Sequence, residues 1–178
     1  MKKNVLWITE TAIMLALLVA LQALTKPMGQ LVTGSCVNAI LAVCVLTTGL
    51  GSGITIALVS PIVAFALGIA PQVLAVPAIM AGNTLYVCVL HLLYKKAVVR
   101  QVLAWLAAAA IKFVALYLIV AKLLCGVLAQ PLLAQGVLKE PMLLVLPAMF
   151  SWPQLFTALI GGGVALLMVP MLRKALHK

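Results

Sequence analysis

The stretch VLAWLAAAAIKFVALYLIVAKLLC, residues 102–125, decides the fold. It exceeds the roughly 20 apolar residues that carry an α-helix across a hydrocarbon layer of ~30 Å. Its only charges are Lys112 and Lys122. Backbone N–H and C=O groups in hydrocarbon must be satisfied within the segment, so a run of this kind reads as helix. Similar runs lie on both sides of it. Residues 5–24 form the first, closed by Thr25, Lys26, Pro27 and Gly29. The second, 31–48, ends in the Gly-Leu-Gly-Ser-Gly junction at 49–53. The third, 54–67, is short, contains Pro61 and stops at Gly68 and Pro71. The fourth, 72–93, ends before Tyr94, Lys95 and Lys96. The sixth lies within 142–172, too long for a single crossing. Pro147 and Pro153 predict that its first part is a separate turn or interfacial piece. Residues 126–141 are the longest weakly patterned stretch.

Composition agrees with this reading. The chain has 178 residues, 66% hydrophobic and 8% charged, and its mean hydropathy is +1.30. Soluble domains carry about 25% charged residues, so a soluble fold is excluded. Six spans use most of the chain, which leaves no room for a soluble domain of the usual ~100 residues. Residues 1–178 therefore read as one all-α, six-helix transmembrane domain. The opening Met1-Lys2-Lys3 resembles the start of a signal peptide. Glu10 interrupts the following run and no clean small-x-small cleavage site follows, so it reads as the first retained span.

Counting basic residues sets the orientation. One side of the membrane receives Lys2, Lys3, Lys95, Lys96, Arg100, Arg173, Lys174 and Lys178; the other receives Lys26 and Lys139. The positive-inside rule then predicts both termini in the cytoplasm. The net charge of +10 is thus spent on topology, and a basic face for nucleic acid is not expected.

The acid count excludes whole classes of chemistry. Glu10 and Glu140 are the only carboxylate side chains. Paired-carboxylate hydrolysis, two-metal sites and phosphoryl transfer need several acids close together. Two histidines, His91 and His177, are too few for an imidazole metal cluster. Neither an enzyme nor a cofactor or metal site is expected. Cys36, Cys44, Cys88 and Cys125 contain no C-x-x-C pair and read as small apolar groups. The glycine-rich junction at 49–53 lacks the G-K-[ST] ending of a phosphate loop and reads as a tight turn.

Ala12, Ala16 and Ala20 recur every four residues in the first span, and such positions share one helix face. They form a smooth strip where another helix can approach closely. A chain of this length with six spans, cytoplasmic termini and an A-x-x-x-A strip in its first helix resembles the substrate-binding S component of energy-coupling factor transporters. The 49–53 junction and the closing run SWPQLFTALIGGG, residues 151–163, are similar in texture to that family. The resemblance implies a multi-pass protein of a prokaryotic cell membrane that binds a vitamin or related micronutrient from outside. It also implies partners: a transmembrane scaffold subunit, on which Ala12, Ala16 and Ala20 would dock, and two ATPase subunits. This chain has no Walker A motif and no relay of ionisable groups, which fits energy supplied by partners. Two readings from other classes stand beside it, a stand-alone oligomeric channel or exporter and a scaffolding membrane protein without ligand.

Lys112 lies near the middle of its span, where an ammonium costs ~2.5–3.5 kcal/mol even on the mild insertion scale. Two readings stand at this position. Lys112 binds an anionic group of the substrate, or it snorkels, bonds helix carbonyls or stays neutral. The amides Asn83, Gln154 and Asn38 are the next candidates, as ligand contacts or as ties between helices. Trp152 and Tyr117 could stack on a flat ring, and Trp152 equally suits an interfacial belt. Lys122 reads as a snorkelling anchor, Glu10 as a partner for Lys or Arg, and His91 as interfacial.

Overall fold

The computed structural model describes residues 2–69 and 72–175, with side chains from residue 5 onward. Met1, Pro71, His177 and Lys178, and the side chains of Lys2 and Lys3, lie outside the described residues. The elements are helices α1 (Lys2–Thr25), α2 (Gln30–Thr47), α3 (Leu50–Ala66), α4 (Ala75–Leu93), α5 (Val98–Leu116), α6 (Ala129–Ala134), α7 (Met142–Met149) and α8 (Trp152–Ala175). A 3₁₀ turn, Lys26–Met28, joins α1 to α2, and α5 continues directly into a π-helical segment, Tyr117–Val127. Among the described residues there is no strand.

Among the described residues five helical stretches are long and apolar enough to cross a membrane: Val5–Met28, Gln30–Thr47, Ala75–Leu93, Val98–Val127 and Met142–Ala175. The protein is an all-helical, polytopic membrane protein. α3 is apolar but has 17 residues, about 25 Å of helix at 1.5 Å per residue.

The junction at 49–53 differs from its sequence reading. α2 ends at Thr47, Gly49 takes φ +104°, and α3 starts at once at Leu50. Only Gly49 makes the turn. Gly51, Ser52 and Gly53 are helical, and their small size serves packing. A Cβ on Gly53 would stand 2.9 Å from Val45 Cβ, so α3 folds back closely on α2. Gly51 faces the Trp7 ring, and Thr11 and Ser52 share a buried hydroxyl–hydroxyl hydrogen bond of 2.7 Å that ties α1 to α3.

α2 is the hub. It packs against α1, α3, α4 and, most extensively, α8. The α2–α8 contact works because small residues meet there. A Cβ on Gly161 would collide with the Ser35 carbonyl oxygen, and one on Gly34 would stand 2.8 Å from Thr157 Cγ2. Lipid tails are as apolar as leucine, so close backbone approach drives helix association in membranes. Gly162 and Gly163 instead accommodate the Trp105 ring of α5, whose Nε1 donates to the Leu159 carbonyl at 3.0 Å. The triplet 161–163 thus seats α8 against two neighbours at once.

The last long apolar run breaks as its prolines suggest, with α7 and α8 separated at Phe150 and Ser151. The break exposes the Met149 carbonyl, which accepts from Gln30 Nε2 at 2.6 Å and Gln154 Nε2 at 3.2 Å. A backbone acceptor freed inside the bundle needs such partners. Beside it, Ala75, Ala78, Leu116, Val120, Leu138, Leu146 and Phe150 form one buried cluster. Leu138, with Leu132 and Leu133 beside it, joins the 126–141 segment to that end of the bundle, and Gln72 Nε2 donates to the Val137 carbonyl at 2.9 Å.

At the opposite end, Arg173 near the end of α8 donates to the Leu46 carbonyl at 2.7 Å and lies over the Tyr94 ring. The beginning of α1 meets α3 at this same end. Both ends of the described chain therefore lie on one side of the bundle.

Candidate functional site

A cavity of about 270 Å³ enters the bundle from the end opposite the start of α1 and the end of α8. Lys26, exposed in the α1–α2 turn, stands at its mouth, where its Nζ donates to the Gly68 carbonyl at 2.6 Å. Gln22, Gln30 and Thr33 follow on α1 and α2, Ser60 and Pro61 on α3, and Met149, Phe150 and Gln154 at the α7–α8 break. Pro61 ends no helix: it sits within α3, buried against the cavity.

Lys112, Asn38 and Asn83 make the floor. The three come from α5, α2 and α4, and each is almost wholly buried, at 3%, 1% and 1% exposure. Lys112 Nζ donates to Asn38 Oδ1 and to Asn83 Oδ1, both at 2.6 Å. It also lies 5.5 Å from the centroid of the Tyr86 ring. Asn38 completes its own bonding through Nδ2, which reaches the Gly34 carbonyl at 2.9 Å and Thr157 Oγ1 at 3.3 Å. That uses the close α2–α8 contact to hold the amide still. Among the described residues Asn83 Nδ2 has no hydrogen-bond partner, and neither have Gln22 Oε1 and Thr33 Oγ1, although all three atoms are buried.

Both partners of Lys112 are neutral amide oxygens. An ammonium has three N–H donors, and two are occupied. No acidic side chain lines the cavity: neither Glu10 nor Glu140 is part of it. The floor is a desolvated lysine nitrogen seated on neutral dipoles, facing an open space. Such a site favours an anion, because opposite charge is what a buried ammonium lacks. Towards the chain termini, Leu41, Cys44, Ile56, Val87 and Leu90 close the bundle as a buried apolar layer.

Of the residues expected from sequence, Lys112, Asn83, Asn38 and Gln154 line this one cavity. Trp152 and Tyr117 do not. Trp152 is 62% exposed and stacks on Phe113 with centroids 5.4 Å apart. Tyr117 also stacks on Phe113, at 6.1 Å, with the exposed Lys122 side chain over its ring. They form an aromatic ladder on the outside of the bundle. The 126–141 segment contributes no residue to the cavity lining, whereas Met149 and Phe150 do. Ala12, Ala16 and Ala20 are exposed, whereas Thr11 and Leu18 of the same helix are buried. The strip therefore faces away from the bundle. Sequence reading missed Gln22, Gln30, Thr33, Ser60 and Tyr86. Gln22 and Gln30 carried a signal, as amides placed just before and just after the α1–α2 break.

Comparison with family models, curated proteins and solved structures finds no match to this chain.

Proposed function

We propose that this protein is the membrane-embedded binding subunit of an uptake system for a small, anionic, vitamin-like micronutrient. The observation that carries the proposal is the cavity floored by Lys112 between Asn38 and Asn83, with no acidic residue in its lining. A lysine buried in a membrane protein is a functional-site candidate by default. Here it ties α5 to α2 and α4 and also lines a cavity. The buried apolar layer beyond it favours a closed binding site over a pore through the single chain.

In this reading α3 also crosses the bilayer, giving six transmembrane helices with both termini cytoplasmic, and the cavity mouth faces outward. Lys95, Lys96, Arg100, Arg173 and Lys174 then lie on the cytoplasmic side, as the positive-inside rule requires. The chain carries no nucleotide-binding machinery of its own, so ATP-driven delivery rests on a transmembrane scaffold subunit and two ATPases, the arrangement of energy-coupling factor transporters. The outward-facing strip of Ala12, Ala16 and Ala20 suits docking on that scaffold.

Mild purification from native membranes tests this. Mass spectrometry of the denatured sample should recover one retained small anion, and ATPase subunits should co-purify. A preparation without either overturns the uptake reading.

A further inference from the structure

The cavity wall carries three buried polar atoms that no described residue satisfies, and their chemistry is directional. Asn83 Nδ2 can only donate, and its identity is settled by the other half of the amide, since Oδ1 must accept from Lys112. Gln22 Oε1 can only accept, and Gln22 is 8% exposed. Thr33 Oγ1 can do either. Buried polar groups in folded proteins are almost always paired, so three orphans lining one space describe the ligand that would pair them.

We infer that the cavity takes a compact monocarboxylate bearing a hydrogen-bond donor at its far end, bound carboxylate-first. The inference rests on the reading of the cavity as the substrate site. The remaining N–H of the Lys112 ammonium and the Nδ2 of Asn83 supply donors from neighbouring groups, which suits the two oxygens of one carboxylate. The ligand carries a single charge. One buried ammonium neutralises one negative charge, and a phosphate group, with close to two charges and three acceptor oxygens, leaves the excess in a desolvated place. The cavity lining contains no arginine, the side chain that best matches phosphate. Cations are excluded by Lys112 itself. The far end of the ligand donates to Gln22 Oε1, with Thr33 Oγ1 close by on α2. Between the two ends, Val37, Pro61, Ile79 and Phe150 cover an apolar body. A volume of about 270 Å³ sits just below the usual range for drug-sized ligands, ~300–1,000 Å³, so that body is small.

The test uses the full chain in lipid nanodiscs and a homologous series of ω-hydroxycarboxylates with three to eight carbons. Matched alkanoates, matched ω-hydroxy primary amides and inorganic phosphate serve as comparisons, with affinities read by calorimetry. The best-fitting hydroxy acid should bind about tenfold or more tightly than its amide and than phosphate, the scale of one charge-assisted hydrogen bond. It should also bind more tightly than its alkanoate, and Gln22→Leu should erase that last difference. Asn83→Asp gives Lys112 a carboxylate of its own, so it should lower acid affinity about a hundredfold while the melting temperature holds or rises.

Amides binding as tightly as acids overturn the inference, as does unchanged acid affinity in a folded Asn83→Asp protein. If no acid binds and native purification yields a retained molecule of another class, the inference falls and the uptake reading stands. If neither a retained molecule nor ATPase subunits are found while acids bind as expected, the uptake reading falls and the site assignment stands.

Discussion

Lys112 Nζ donates to Asn83 Oδ1 at 2.6 Å, while the Nδ2 of that same amide has no partner among the described residues. One side chain from α5 thereby fixes which way a side chain from α4 faces, and leaves its donor for the cavity. The midplane lysine that reads from sequence as a cost is, through this pairing, hydrogen-bonded to two other helices. Asn38 supports it from a third helix and is itself held by the α2–α8 contact.

Lys112→Met should abolish anion preference without unfolding the protein. Two effects on stability oppose each other. Removing a buried ammonium relieves ~2.5–3.5 kcal/mol on the insertion scale, while orphaning the Oδ1 atoms of Asn38 and Asn83 costs ~1–3 kcal/mol each. The melting temperature without ligand should therefore move little, and affinity for the retained anion should fall about ten- to a hundredfold. Calorimetry and a thermal melt on the same preparation check both halves; affinity unchanged within about twofold removes Lys112 from the site.

Trp152→Ala and Tyr117→Ala should leave ligand affinity within about twofold of the parent, because both rings stack on Phe113 outside the cavity. Their loss removes aromatic pairing of about 0.5–1.5 kcal/mol each, so a modest drop in melting temperature is expected instead. A tenfold loss of affinity in either variant would return that ring to the binding site.

Gly161→Ala and Gly163→Ala should behave oppositely, though the residues lie two positions apart on α8. The added methyl at 161 meets the Ser35 carbonyl oxygen and Ala39 N of the α2 backbone, which cannot swing aside as a side chain can. Overpacking of this kind costs about 1–3 kcal/mol. At 163 the nearest atom is Trp105 Cζ2 at 3.4 Å, ordinary contact, and the change should stay within about 0.5 kcal/mol. Thermal melts of the pair in one detergent decide it, and equal stabilities refute the close α2–α8 approach.

Ala16→Trp should break assembly and spare binding. Ala16 is exposed on α1, on the face away from buried Leu18, so a bulky ring meets nothing inside this chain. Close docking of a partner helix tolerates only small residues there. Co-purification of partner subunits, or transport in cells, should fall well below the parent level while calorimetric affinity is unchanged. Normal assembly makes the strip a lipid-facing surface.

The membrane character, the helical class and most helix limits were legible along the chain, because each follows from a local rule. Long apolar runs with few charges must be helices in hydrocarbon, and Pro147 and Pro153 bracket the α7–α8 break through their own backbone chemistry. Lys112 stood out for the same local reason, a charge in the middle of an apolar run. What surrounds it was not legible. Asn38 and Asn83 belong to two other helices, and only the packing of α2, α4 and α5 brings their oxygens onto one ammonium. Trp152, by contrast, has the chemistry of a stacking residue, yet the rotation of α8 leaves it outside. The glycines at 51, 53 and 161 show the same division. Sequence reads 51 and 53 as part of a tight turn, but whether a glycine turns the chain or admits a neighbouring helix depends on what lies opposite it. Local composition determined that this chain folds as membrane helices; the tertiary arrangement decided which polar groups meet, because a site is made of contacts between residues that sequence holds far apart.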